Sequence, residues 1–311
     1  MATPLNFKPI TLQDRDILTP YFDKMDWKDC NGSFASLFLW SKQYPVEYAL
    51  VEDMAVVRYP HPTIDSFYLP IGDGSGGRTR SVLERMLAFV GQRGTPLRLH
   101  LTSEDLEGVR DLLPHLDAIE WKRELADYIY PAEKLRTLSG KKLHSKKNHL
   151  NRFLAENQWQ YEPLDRENIP QCMQMLAVWE QQNRYGDEKD IGLEQETDTV
   201  RRALTYYDDL RLSGGLIRLL SGDRAGQVIA FAIGEPITKD TYVVHFEKAF
   251  SDINGSYAII NQQTVEKQAS DFLYINREDD AGDEGLRKAK LSYQPALLLE
   301  KGALQITELL P

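Results

Sequence analysis

The stretch TYVVHFEKAF, residues 241–250, carries three side chains suited to transfer chemistry: His245, Glu247 and Lys248. Its pattern is typical of a β-strand, and strict alternation places His245 and Glu247 on one face and Lys248 on the other. Charge on a buried strand is costly unless it is paired or used. His245 or Glu247 could act as a general base, and Lys248 could stabilise developing negative charge. The alternative is a structural ion pair beside a hydrogen-bonded core histidine.

A second group of reactive side chains lies in the basic segment GKKLHSKKNHLNRF, residues 140–153. Seven Lys or Arg and no acid occur from Lys134 to Arg152, in a chain whose net charge is −10. In a helix here, Lys146 and Lys147 fall beside the apolar stripe. We therefore assign Lys146, Lys147 and Arg152 to binding an anionic, phosphate-bearing donor. The alternative is solvated side chains whose stems cover apolar surface.

Two glycine-containing loops, each before a predicted helix, could bind an anion. Asn254, Gly255 and Ser256 begin the helix after the 241–250 strand, where free N–H groups suit an anion or an oxyanion, although a plain N-cap explains them equally. In the first half, GDGSGGR could hold a phosphate on backbone N–H groups or be a flexible turn.

No metal site is expected. His144 and His149 are five residues apart, so they do not share a helix face. The acidic segment NREDDAGDEG does not match calcium-loop spacing. Cys30 and Cys172 match no metal or redox spacing, which favours a reducing cytoplasm.

Composition indicates an ordinary globular protein. The 311 residues are 42% hydrophobic, and no apolar run is long enough for a secretory signal or a membrane span. The acidic balance argues against general nucleic-acid binding, so the local basic segment fits a defined anion better than a broad polyanionic surface.

The same order of elements occurs twice: helices, a hairpin, then strands alternating with helices. YALVEDMAVVRY predicts the first hairpin and GGLIRLLSGDRAGQVIAFAIGEPI the second, while RTRSVLERMLAFVGQRG predicts a helix between strands. A strand–helix–strand unit favours a parallel pair, so each sheet should be mixed. The fold class is α/β, with domains at 1–125 and 126–311 and closing strands in ALLLEKGALQITEL, residues 296–309.

This repeated order resembles the tandem acyltransferase fold of the GNAT type. DYIYPAEKLRTLSGKKLHSKKNHLNRF, VVHFEKAFSDINGSYAIINQ and INREDDAGDEGLRKAKLSYQP resemble stretches of bacterial proteins related to the C-terminal domain of phosphatidylglycerol lysyltransferase. The resemblance implies two GNAT-like domains, the first degenerate and the second carrying the active cleft. Characterised relatives transfer an aminoacyl group from a charged tRNA to a lipid.

Two departures from this pattern bear on the donor. The chain has no membrane-spanning flippase region, and the pyrophosphate loop of acetyl-CoA-dependent GNAT enzymes is not intact, since only Gly255 stands in SDINGSY.

The resemblance also implies roles for residues near the end of the second half. Lys290, with Arg287 and Lys288, would hold a phosphate or stabilise a tetrahedral oxyanion, and Tyr293 would donate a proton to the leaving group. The spacing from Lys290 to Pro295 is one residue longer than expected of the lysyltransferases. In the GNAT-type fold, one strand lies beside the channel that holds the donor substrate. The residues that follow this strand are expected to contact the acceptor substrate: Asn276, Arg277, Glu278 and Asp280.

Three functions stay open at this point. The first is transfer of an aminoacyl group from charged tRNA to an amine or hydroxyl of a lipid headgroup, peptide or small molecule. The second is acyl transfer from acetyl-CoA with an atypical phosphate loop. The third is a non-catalytic module that binds tRNA or another anion.

Overall fold

The computed structural model describes residues 4–184 and 191–311. The chain divides into two compact units. The first comprises residues up to Asp127, together with Asp279–Asp283 and Leu298–Pro311. The second comprises Tyr128–Glu278 and Glu284–Leu297.

The first unit is built on one mixed sheet with the order β1-β2-β3-β4-β6-β15-β7, and β5 pairs with β3. Its strands are β1 (Lys8–Pro9), β2 (Glu47–Val51), β3 (Met54–Tyr59), β4 (Ser66–Tyr68), β5 (Ile71–Gly72), β6 (Leu97–Thr102), β7 (Glu120–Trp121) and β15 (Lys301–Ile306). Its helices are α1 (Arg15–Phe22), α2 (Phe34–Trp40), α3 (Arg78–Gly91) and α4 (Leu106–Val109).

Local sequence explains several of these elements. The β2–β3 hairpin turns at Glu52 and Asp53, which both have positive φ, as the tight turns of twisted hairpins require. Helix α2 begins after Ser33, whose side chain accepts a hydrogen bond from the Ser36 N–H at 3.1 Å. The hairpin was predicted from the sequence and is confirmed.

The two faces of the first sheet differ. Leu97, Leu99 and Leu101 of β6 are buried in an apolar core with residues of α3. Alternation therefore turns Arg98 and His100 to the opposite face. The strand PLRLHLT thus carries an apolar face and a polar face.

The second unit contains the sheet β14-β8-β13-β12-β11-β10-β9. The strands are β8 (Asp127–Pro131), β9 (Trp159–Pro163), β10 (Ser213–Leu219), β11 (Val228–Pro236), β12 (Thr241–Ala249), β13 (Tyr274–Asn276) and β14 (Leu297–Leu299). The helices are α5 (Ala132–Thr137), α6 (His144–Glu156), α7 (Ile169–Asn183), α8 (Ile191–Thr205), α9 (Ser256–Gln268) and α10 (Glu284–Leu291). Short 3-10 helices occur at Leu12–Asp14, Ser75–Gly77, Leu116–Ala118, Arg123–Leu125 and Lys141–Leu143.

Each sheet contains one parallel pair joined through a helix. β4 and β6 are parallel with α3 between them in the chain, and β12 and β13 are parallel with α9 between them. The pairs β2–β3 and β6–β15 of the first sheet and β10–β11 and β11–β12 of the second are antiparallel, so the prediction of two mixed sheets flanked by helices is confirmed.

The C-terminal strand differs from the sequence expectation. The predicted domains, 1–125 and 126–311, placed the closing strands in the second half. In the structure β15 pairs antiparallel with β6 and β7 in the first sheet. Strands that pair over nearly 200 residues of sequence leave no local pattern that identifies their partners. The order of the elements alone could therefore not assign β15 to the first sheet.

Candidate functional site

The parallel strands β12 and β13 diverge inside the second unit. They pair only over Thr241–Val243 and Tyr274–Asn276, while β12 continues to Ala249. Glu247 on β12 and Arg277 after β13 lie beyond the paired region. Glu247 remains paired with Ala232 of β11, and the Arg277 N–H donates to the Tyr128 carbonyl of β8, but β12 and β13 no longer pair with each other. Their side chains can therefore face a ligand where the two strands separate.

Arg277 is the centre of a polar group at this divergence. Its Nη2 donates to Glu247 Oε1 at 2.9 Å, and Asn261 of α9 donates to the other Glu247 oxygen at 3.0 Å. We call Lys146, Glu247, Asn261, Arg277 and Tyr293 the Arg277 cluster. Burial lowers the pKa of Arg277, but the Glu247 carboxylate more than offsets this, so the guanidinium stays charged.

The Arg277 cluster contains polar atoms that are not used. Within the described residues, Arg277 Nη1 and Asn261 Oδ1 are buried and have no hydrogen-bond partner. A buried unpaired donor of this kind is costly, and such atoms often serve a ligand. Asn261 was not selected as a site residue from the sequence, although a polar residue within the apolar stretch YAIIN was a usable signal.

Tyr293 lies between two cations. The Arg277 guanidinium is 4.9 Å from its ring centroid, and the Lys146 ammonium is 4.5 Å from it. Burial raises the pKa of Tyr293 to about 12, so the phenol keeps its proton at neutral pH. Burial, and then the charge of Arg277, lowers the pKa of Lys146. The structure thus brings Lys146 and Tyr293, both predicted site residues, into contact.

Lys290 contacts the backbone of the Arg277 cluster. Its ammonium donates to the Arg277 carbonyl at 2.7 Å, and its own carbonyl accepts from the Tyr130 hydroxyl at 2.8 Å. Lys290 therefore holds the backbone of Arg277 in place. Its predicted role at an oxyanion stays a prediction.

His245 is held between two carboxylates. Nδ1 lies 2.8 Å from Glu278 and Nε2 lies 2.9 Å from Glu235. Burial lowers the pKa of His245, but the two carboxylates dominate and raise it to about 10. An imidazolium bonded through both nitrogens is not available to remove a proton, so among the two predicted bases we retain Glu247.

Lys248 lies apart from the Arg277 cluster. Its ammonium is 2.5 Å from Glu196 on α8 and 3.9 Å from the Trp179 ring centroid on α7. Its side chain is 5% exposed, as expected for a structural ion pair covered by an aromatic ring. The proposed stabilisation of charge by Lys248 has no support in this geometry.

The start of α9 is covered by the basic helix. Gly255 has φ +82, and a Cβ there would lie 2.4 Å from the His149 carbonyl oxygen of α6. Asn254 contacts His149 at 2.9 Å, and the Ser256 hydroxyl donates to the Phe250 carbonyl at 2.7 Å. Asn254 and Gly255 therefore contact α6, and Ser256 contacts Phe250 just after the preceding strand, in the segment where a CoA pyrophosphate was considered.

The remaining predicted anion-binding residues lie on helix surfaces. Lys147 of α6 and Lys288 of α10 are exposed, and Arg287 is half-buried. Arg152 forms an exposed pair with Glu156 at 2.8 Å. Of the basic residues on α6 that were predicted to bind the donor, Lys146 alone is in the Arg277 cluster.

The predicted acceptor contacts separate. Asn276 is fully buried, and its side chain accepts from the Glu278 N–H at 2.7 Å. Glu278 is engaged with His245, and only Arg277 is in the cluster. Asp280 belongs to the first unit, where it pairs with Arg123 at 3.3 Å.

The first unit contains a buried charge group that the sequence did not reveal. The Lys301 ammonium lies 2.7 Å from Asp29, 2.8 Å from Asp127 and 3.2 Å from Cys30 Sγ. Asp29, Cys30 and Asp127 form a group with ligand-like spacing. Because Lys301 supplies a cation at its centre, we read it as a structural group.

Comparison with known proteins places these features in a family. A family model described as phosphatidylglycerol lysyltransferase, C-terminal, matches residues 22–301. A solved structure of a conserved protein of unknown function from Bacteroides thetaiotaomicron VPI-5482 is 34% identical, with a TM-score of 0.85, over 97% of this chain and 99% of that chain. L-PGS from Bacillus licheniformis has a TM-score of 0.57 at 14% identity, over 84% of each chain.

A curated relative is similar over a shorter region. The uncharacterized protein MYCGA3080 from Mycoplasmoides gallisepticum is 25% identical over 183 residues, which are 56% of this chain and 54% of that protein. The matched region thus spans about half the length of that relative. Across the described part of the chain, no helix has both the length and the apolar character needed to cross a bilayer.

These comparisons confirm the predicted fold, two tandem GNAT-like domains. They support an acyltransferase-like protein without identifying its donor.

Proposed function

The chain belongs to the family of the phosphatidylglycerol lysyltransferase C-terminal domain, and on that premise we propose that its second unit transfers an aminoacyl group from a charged tRNA to an amine or hydroxyl acceptor. The observation that carries this proposal is the Arg277 cluster. It combines an unused buried donor, a protonated phenol and a carboxylate at one strand divergence.

Arg277 is our candidate for binding the carbonyl oxygen of the ester. Its Nη2 is fixed by Glu247, and its Nη1 has no partner within the described residues. A fixed, charged donor aimed at an oxyanion stabilises the tetrahedral intermediate more than the planar ester. Lys290 orients Arg277 through its carbonyl and acts as a positioning residue.

Glu247 is our candidate for the base. Each of its oxygens accepts one hydrogen bond, from Arg277 or Asn261, and keeps a second lone pair. The acceptor nitrogen or oxygen attacks the ester carbon as Glu247 takes its proton. The bond to the ribose oxygen then breaks, and Tyr293 gives that oxygen a proton. Return of the proton from Glu247 to Tyr293 restores the site.

Lys146 would support the last step. Its ammonium over the Tyr293 ring favours the transient phenolate, because a cation stabilises the charged form of a neighbouring acid. It also belongs to the basic helix α6, whose exposed Lys147 could contact phosphates of the tRNA acceptor end.

The test is turnover with tRNA carrying a labelled amino acid and a set of amine and hydroxyl acceptors. Tyr293→Phe should lower kcat by roughly 10²–10⁴-fold, the usual contribution of a general acid. Tyr274→Phe is the matched control, since Tyr274 is half-buried in the same unit and lies outside the Arg277 cluster. Unchanged kcat in Tyr293→Phe would remove its assigned role.

The same assay separates the other two functions. Label transferred from acetyl-CoA in place of charged tRNA would assign the protein to CoA-dependent acyl transfer. Salt-sensitive tRNA binding without product from any acceptor would assign it to the binding modules.

A further inference from the structure

The first unit encloses a large cavity that is separate from the Arg277 cluster. Its volume is about 740 Å³, within the roughly 300–1,000 Å³ range of small-molecule sites. Every lining residue belongs to the first unit. Its floor is the polar face of the first sheet, which includes Tyr59, Tyr68, Arg98 and His100.

Three rings form the centre of this floor. Tyr59 and Tyr68 pack edge to face at 5.7 Å between centroids, and His100 lies 6.1 Å from Tyr59 and 5.7 Å from Tyr68. Trp27 adds an indole ring to the lining. Several aromatic rings that remain partly exposed in a concave site favour a flat, aromatic ligand.

Arg98 supplies a positive charge to the cavity lining, and no ion pair to it is found among the described residues. Its Nε is buried and lacks a hydrogen-bond partner in the part of the chain that the structure describes. Burial, and then the charge of Arg98, lowers the pKa of His100 to about 4, so His100 is neutral and does not compete with Arg98 for an anion.

The acids of the cavity are already engaged elsewhere. Asp29 is paired with Lys301 at 2.7 Å, and Asp105 accepts from the Thr102 N–H and hydroxyl at 2.7 and 2.8 Å. Asp279, the third acid of the lining, accepts from the Ala281 N–H at 2.9 Å. Among the described residues, none of the three acids is paired with Arg98. The unmet charge in the cavity is therefore positive, and its complement is an anionic ligand group.

We propose that this cavity binds a small aromatic anion, whose carboxylate or phosphate pairs with Arg98 and whose ring packs on Tyr59, Tyr68 and His100. The site is independent of the transfer reaction proposed for the second unit. A carboxylate and a phosphate can each accept two hydrogen bonds from the planar fork of a guanidinium, and binding assays can separate the two groups.

The first test uses two dyes with the full chain. The aromatic sulfonate 8-anilinonaphthalene-1-sulfonate should bind with one site per chain, and the uncharged N-phenyl-1-naphthylamine should bind more weakly. Arg98→Gln should weaken the sulfonate about tenfold or more, because charged hydrogen bonds are strong, and leave the neutral dye unchanged. Tyr68→Leu should weaken both dyes. Arg110→Gln, an exposed arginine of the same unit, is the matched control.

A second test needs no variant and so does not depend on variant folding. Indole-3-acetate and phenyl phosphate should displace the sulfonate dye, while neutral indole-3-acetamide should do so at least tenfold less well. The stronger of the two anions identifies the ligand head group. Equal displacement by the acid and the amide, binding of several dyes per chain, or full sulfonate affinity in folded Arg98→Gln would overturn the proposal.

Discussion

His245 should remain protonated far above the usual range of histidine, and this can be measured. Its two ring nitrogens bond to Glu235 and Glu278, and its pKa rises from 6.5 to about 10. Between these two pH values the native state binds a proton that the unfolded state has lost. The resulting stability is complete below pH 6.5 and is lost as the pH rises through about 10.

The magnitude follows from the same two values. At ~1.4 kcal/mol per pH unit, the rise corresponds to about 5 kcal/mol. Removing one partner from a buried ion pair typically costs about 3–5 kcal/mol, which agrees with that figure. We therefore expect the free energy of unfolding to fall by about 3–5 kcal/mol between these pH values, relative to His245→Gln.

The assay is a histidine ring NMR titration together with urea unfolding at a series of pH values. His245→Gln identifies the resonance. Glu235→Gln should lower the pKa of His245 by roughly 1–3 units, since it removes one neighbouring charge. Glu167→Gln, an exposed acid of the same unit, should leave it unchanged. A native His245 resonance that titrates near 6.5 would refute the reasoning, and the base role of His245 would then be open again.

Three further predictions concern stability and reactivity. Gly255→Ala should destabilise the protein by about 2–4 kcal/mol, measured by thermal unfolding, because its φ of +82 and the nearby His149 carbonyl exclude a Cβ. Lys301→Met should cost about 3–5 kcal/mol in urea unfolding, since Asp29 and Asp127 would lose their buried cation. Burial raises the pKa of Cys172 to about 12, so Ellman's reagent should label it only after denaturation. A wild-type melting temperature for Gly255→Ala, unchanged unfolding of Lys301→Met or rapid native labelling of Cys172 would contradict these expectations.

Much of the architecture was accessible from periodicity. Hairpin β2–β3, helix α3 and strand β6 follow from alternation, turn residues and helical spacing, which are local properties. The place of β15 was not accessible, because its partners β6 and β7 are set by tertiary packing. The polar face of β6 was visible in LRLHLT, yet the sequence alone could not show that it lines a cavity.

The residues of the candidate site could be selected from the sequence by their chemical type, but the sequence did not show which of them contact one another. Glu247, Lys146, Arg277 and Tyr293 were selected from the sequence, and the structure brings them together. The sheet face occupied by His245 could not be inferred, because the pairing between β11 and β12 is irregular at this residue. Ile233 pairs with Phe246 and Gly234 pairs with Val244, so His245 has no position in the pairing register with β11. Such a bulge breaks the alternation on which the inference rested.

The position of β15 between β6 and β7 has a consequence for biosynthesis. Domains generally fold as units during synthesis, with N-terminal domains first. Here the first sheet must wait for one of its inner strands until residues 301–306 have been translated. Until then Asp29 and Asp127 stay hydrated, because Lys301 arrives only with that strand. A fragment that stops before residue 301 would leave β6 and β7 without the strand that joins them.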